Sequence, residues 1–164
     1  MKFQKDHLFT EDFLIKGHIN TGEYRLSNFL NKTHQKFLVM EEAILVRHNG
    51  DTPVPADWMQ VRIQDILFAY ESENTGDDGM RSIAEQSRDE VRVTAYFSGA
   101  NPIQITGKVN QRILESRSTH HNNFFVVTEP ELQGLAVHQA PEYDTIRELP
   151  YLIVNKNRLS FLFK

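Results

Sequence analysis

Three blocks of strand-like sequence occur twice in this chain, in the same order, and this constrains the fold more than any other feature. Leu14–Ile19, LIKGHI, aligns with Gln104–Val109, QITGKV, each a strand pattern with a central glycine. Thr33–Glu42, THQKFLVMEE, aligns with Thr119–Glu129, THHNNFFVVTE. Val61–Tyr70, VRIQDILFAY, aligns with Val154–Phe163, VNKNRLSFLF. The loops between the blocks differ in length while the order holds, which marks a repeated structural unit. The competing explanation is chance resemblance among short alternating segments.

The blocks belong to a wider run of short segments rich in Val, Ile and Phe, which alternate or stay apolar for a few residues, as strands do. Strands are expected at Phe13–Ile19, Phe37–Met40, Ile44–His48, Gln60–Tyr70, Val91–Phe97, Ile103–Val109, Phe124–Thr128, Leu135–His138 and Leu152–Phe163. Helical periodicity is scarce. Arg25–Asn31, RLSNFLN, places Leu26, Phe29 and Leu30 on one helical face, and Met80–Gln86 has a weaker pattern. Between the halves, Glu71–Glu90 is polar and acidic, with Gly76 and Gly79, and has little to bury, so it reads as a linker. The expected organisation is a first β-unit at 1–70, a polar linker at 71–90 and a second β-unit at 91–164. A unit of four or five strands buries little surface alone. The fold class is therefore mainly β: two related small units, each an SH3-like barrel or part of a sandwich, packed together, with one short helix near 26–31.

Composition removes whole classes of function. The chain has no cysteine, which excludes disulfides, thiolate metal sites and thiol catalysis. A net charge of −4, without a Lys/Arg cluster, gives no general attraction to nucleic acid or anionic lipid. No apolar run is long enough for a signal peptide or a membrane span. A cytoplasmic location without membrane association is the expectation.

Specific chemistry is hard to find. Phosphate-loop, dinucleotide, zinc-protease and nucleophile-elbow motifs are absent. His120 and His121 are adjacent, with His34 in the matching place of the first half, but neighbours on a strand point to opposite faces. They read as part of a polar loop, and no metal or cofactor is expected. The pairs Glu41/Glu42 and Glu129/Glu131 offer carboxylates for acid–base work, against the plainer reading of exposed turns. Asp77 and Asp78 with Glu71, Glu73 and Glu85 form an acidic run that could attract a cation or a basic partner, against the plainer reading of a solvated linker. Arg112 and Arg117 lie five apart, but the strand motif that follows such a pair in PilZ-type cyclic-dinucleotide barrels is missing. Asp51–Met59, DTPVPADWM, reads as a loop carrying the sole tryptophan. Trp58 is either an interface anchor or a lid over one end of its own unit. Trp58, Arg112 and Arg117 are the candidate partner-binding residues.

The first half also resembles a family of small bacterial all-β proteins of unknown function. That family's pattern is a strand of the type xIxGxI, then RLSDxLN, then a strand RFLxLTDA, then VNK before a closing strand. Arg25–Asn31 matches the second element and Phe37–Ala43 the third, with Glu41 and Glu42 in place of Thr-Asp. VNK stands at Val154–Lys156, in the second half, whereas the first half has Val61–Ile63, VRI. Asn110–Ser118, NQRILESRS, stands where the second half would need RLSNFLN. The resemblance implies an all-β fold and a bacterial origin, and carries no activity.

These readings converge on a non-enzymatic binding, scaffold or regulatory module that works through a protein partner or self-association. The alternative is a ligand-sensing or nucleic-acid-binding small β-barrel. Within RLSNFLN the expectation is specific: Leu26, Phe29 and Leu30 buried, Arg25 and Asn28 more exposed, Ser27 and Asn31 at the helix ends.

Overall fold

A computed structural model describes residues 6–48, 50, 52–71, 89–115, 123–134 and 148–164. The chain is mainly β, and the ten strands among the described residues form one antiparallel sheet. In the first half these are β1 (Asp6–Phe9), β2 (Phe13–Ile19), β3 (Phe37–Arg47), β4 (Val54–Arg62) and β5 (Phe68–Tyr70). In the second half they are β6 (Glu90–Phe97), β7 (Ile103–Asn110), β8 (Phe124–Gln133), β9 (Tyr151–Asn155) and β10 (Phe161–Phe163). Helix α1 (Leu26–Lys32) follows β2, and the shorter α2 (Gln111–Glu115) follows β7. The expected strand at Leu135–His138 and the helical pattern at Met80–Gln86 lie outside the described residues.

Strand boundaries differ from expectation where the backbone bends. Phe37–Met40 and Ile44–His48 are one strand, β3, and the apparent break is a bulge. Gln60–Tyr70 is the end of β4, a 3₁₀ turn at Ile63–Asp65, and β5. Leu152–Phe163 divides the same way, with its 3₁₀ turn at Lys156–Arg158. Residues 54–59, expected as loop, are strand. Pro55 has no N–H to donate, so it is tolerated only at an edge, and β4 is an edge strand.

The strand order is β10-β6-β7-β8-β9-β5-β1-β2-β3-β4. The order β5-β1-β2-β3-β4 of the first half recurs as β10-β6-β7-β8-β9 in the second, and β9 joins β5 between them. The local details recur as well. Gly17 on β2 faces two residues of β3, Glu42 and Ala43, and Gly107 on β7 faces Glu129 and Pro130 of β8. Glu42 and Glu129 both take the left-handed conformation, at φ 48° and 49°. A side chain on Gly17 would meet the Glu41 carbonyl at 2.9 Å, and one on Gly107 the Thr128 carbonyl at 2.8 Å. This close approach is why the central glycines stand in both blocks. The backbone bonds Ile63 N–H to Lys36 O and Leu67 N–H to Phe9 O have counterparts in Lys156 N–H to Asn123 O and Ser160 N–H to Tyr96 O.

The sheet has two ends, β10 and β4, which are not hydrogen-bonded to each other, so no closed barrel forms among the described residues. Its core is divided between its faces. Along β1, β2 and β5 successive residues alternate, Phe9, Leu14 and Phe68 entering one cluster and Leu8, Ile15 and Ala69 the other. The first cluster is built mainly by the second half, from Val93, Phe97, Ile105, Val127 and neighbours. The other is built mainly by the first half, from Leu26, Leu30, Leu38, Met40 and neighbours, and takes Phe124, Tyr151 and Ile153 from the second. Strand β9 is buried at every residue because it serves both.

Helix α1 covers the first half's cluster with Leu26 and Leu30, while Phe29 is only partly buried at its rim. Asn28 is exposed. In the second half, α2 does the matching work with Ile113 and Leu114, so NQRILE supplies a one-turn cover that its sequence concealed.

Candidate functional site

Two places concentrate side chains beyond what the core needs: a polar lock beneath α1 and the two ends of the sheet. The lock is built on Glu71. Its side chain is buried, unlike the solvated stretch in which the sequence placed it. One carboxylate oxygen accepts the Leu26 N–H at 2.8 Å, capping α1 from far along the chain. The other accepts the Tyr151 hydroxyl at 2.7 Å and lies 3.3 Å from the Arg25 guanidinium. Arg25 also sits over the Tyr151 ring, 5.8 Å from its centre, and is largely buried rather than exposed as expected. Burial, then the neighbouring Glu71 charge, holds the Tyr151 hydroxyl far above its ordinary pKa and raises Tyr70 as well.

Two asparagines complete the join between halves. Asn31, at the end of RLSNFLN, imitates a strand: its amide donates to Phe124 O and accepts from Phe124 N, both at 2.8 Å. Asn155, in VNK, donates to Ile66 O at 2.9 Å and accepts from Asn157 N at 3.1 Å. These motif residues are structural clamps, each holding backbone that lacks a ladder partner.

The sheet ends are the opposite case. On β3 and β4 one outward face carries Phe37, Val39 and Glu41 beside Arg62, Gln60 and Trp58, in that register. Phe37, Val39 and Trp58 are all exposed, Trp58 at 63%. Trp58 is thus no lid over its own half. The Arg62 guanidinium lies 5.8 Å from the Phe37 ring centre. At the other end, β10 exposes Phe161 and Phe163 while Leu162 packs inward.

No family model, curated protein or solved structure matches this chain. The resemblance noted in the first half therefore rests on its motifs.

The other candidates separate. Arg112 is exposed on α2 and lines a cleft of about 290 Å³ with Arg25, Asn28, Asn31 and Asn110. It is not brought together with Trp58, which sits at the far end of the sheet. Arg117, His120, His121 and the acidic residues 73–85 lie outside the described residues. His34 is exposed, and among the described residues no group of three or more potential ligands is placed to hold a metal. Glu41 and Glu42 are exposed within β3 rather than in a turn. Glu129 pairs with Lys108 at 2.9 Å, which raises the lysine's pKa, and Glu131 pairs with Arg92 at 2.8 Å. A larger cleft, about 580 Å³, lies between the halves and is lined by Lys36, Arg62, Gln64, Asn123 and Asn157 among others. No described helix is long and apolar enough to cross a membrane.

Sequence reasoning missed the role of Glu71 and the strand β1, whereas β10 falls within the strand expected at Leu152–Phe163. Glu71 was masked by the acidic residues that follow it. Its signal in the sequence is its place directly after the apolar run LFAY.

Proposed function

We propose that this protein is a non-enzymatic binding, scaffold or regulatory module acting through protein–protein contacts at the ends of its sheet. The observation that carries this reading is the exposed apolar face around Trp58 on an edge strand, an aromatic anchor flanked by Glu41 and Arg62. An edge with no strand partner among the described residues also offers backbone donors and acceptors for strand addition. The recurrence of strand order, bulge and hydrogen bonds supports reading the halves as copies of one duplicated unit. The bacterial resemblance and the cysteine-free composition support a bacterial cytoplasmic setting.

A photoreactive residue in place of Trp58, expressed in cells, tests the binding reading. Adducts at position 58, and none with the same residue at exposed Asn28, are expected; no adduct at 58 would sink it. The second reading, a ligand-sensing or nucleic-acid-binding module, draws on the cleft between the halves with Lys36 and Arg62 in its wall. Salt-sensitive retention on an oligonucleotide column, lost on replacing those two residues, would favour it.

A further inference from the structure

Resting on that reading, we infer that the partner at the sheet ends is a second copy of this chain, with β10 of one molecule pairing with β4 of the next. The chain already contains one such junction, β5·β9, in which Phe68 opposes Val154 and Ala69 opposes Ile153. In the strand order, β10 holds the place of β5, and β4 the place of β9. Repeating the junction puts Phe161 opposite Val61 and Leu162 opposite Gln60.

The burial of matching residues supports this. Phe68 is 0% exposed because it enters the cluster of the other half, while Phe161, in the same place on β10, is 62% exposed. Ala69 packs in the cluster of its own half, and Leu162 does the same. Tyr151 is 6% exposed and its ring contacts Tyr70 at 5.9 Å. Their counterparts are Trp58 and Phe163, both exposed. Phe161 and Trp58 thus stand exposed where the first junction has the buried Phe68 and Tyr151, and Phe163 where it has the partly buried Tyr70; Phe163 against Trp58 would reproduce the Tyr70–Tyr151 contact. Gln60 in place of Ile153, and Arg62 in place of Asn155, make the second junction more polar, which suits reversible, concentration-dependent assembly. The contact is head-to-tail, so it extends into a ring or a short filament.

The absence of native cysteine makes the test direct. Gln60→Cys and Leu162→Cys are prepared separately, mixed and oxidised mildly; directly opposed strand positions approach closely enough for a disulfide. A covalent dimer in the mixture, at least several-fold above either variant alone, is expected. The double variant is expected to give interchain multimers, whereas an intrachain disulfide alone would overturn the inference by showing that both edges meet within one molecule. Because Leu162 is partly buried, the unmodified protein provides the second arm. Sedimentation velocity across concentration should show association, with Trp58 emission shifting to the blue, and Phe161→Asp should abolish both. A monomer at every concentration, with Trp58 quenchable throughout, overturns self-pairing; adducts to a different protein at position 58 would then leave the binding reading standing by itself.

Discussion

Replacing Glu71 with Gln leaves the Arg25 guanidinium largely buried without its counter-charge. Removing one partner of such a pair costs about 2–4 kcal/mol even where the pair itself contributes little. A urea titration of Glu71→Gln should show that loss, and the Tyr151 hydroxyl should titrate at lower pH once the adjacent negative charge is gone. His48 provides a second residue-scale test. Burial, the largest influence, lowers its pKa below 6.5, opposed by its hydrogen bond to Thr10 O and by Asp12. The unfolded chain therefore takes up a proton near pH 6.5 while the folded chain does so only at lower pH. This contribution to stability is present above pH 6.5 and is lost as pH falls toward the folded value. His48→Gln should flatten the dependence of stability on pH between about pH 7 and pH 5.

The two bulges are the most informative elements. Gly17→Ala and Gly107→Ala both force a side chain onto a carbonyl of the facing strand, and each should cost about 1–3 kcal/mol. Glu129 stores strain, because a non-glycine residue in the left-handed region costs about 1–2 kcal/mol. Glu129→Gly should relieve it, offset only slightly by loss of the solvent-screened pair with Lys108. Denaturant midpoints of the three variants check all of this, and opposite signs for the glycine and glutamate changes are the expected outcome. For α1, Asn31→Ala removes both bonds to Phe124 and leaves a partly buried amide and carbonyl unpaired, a loss of about 1–3 kcal/mol.

At the scale of the whole molecule, the shared core predicts that the halves unfold together. Phe68 and Leu14 lie in the cluster built mainly by the second half, and Tyr151 and Ile153 in that built by the first. Far-UV circular dichroism and tyrosine absorbance should therefore trace one coincident transition. Two separated transitions would mean that each half stands alone. The repeat blocks, the central glycines and the apolar face of RLSNFLN were all legible in the sequence, because strand alternation and helical spacing are local patterns. The edge character of β4 was also present, in Pro55, although Pro53 and Pro55 together read as loop. Glu71, Arg25 and Asn155 were not legible in their roles, since each finds its partner far along the chain. By itself, the sequence determined a mainly β protein of short alternating strands with a helical cover at RLSNFLN, because periodicity dictates which residues seek burial. Only the tertiary structure decided that the two halves share one open sheet, since which strand lies beside which is a matter of long-range pairing. That pairing buries Phe68 and Tyr151 and leaves Phe161 and Trp58, in the same places of the repeated order, in solvent.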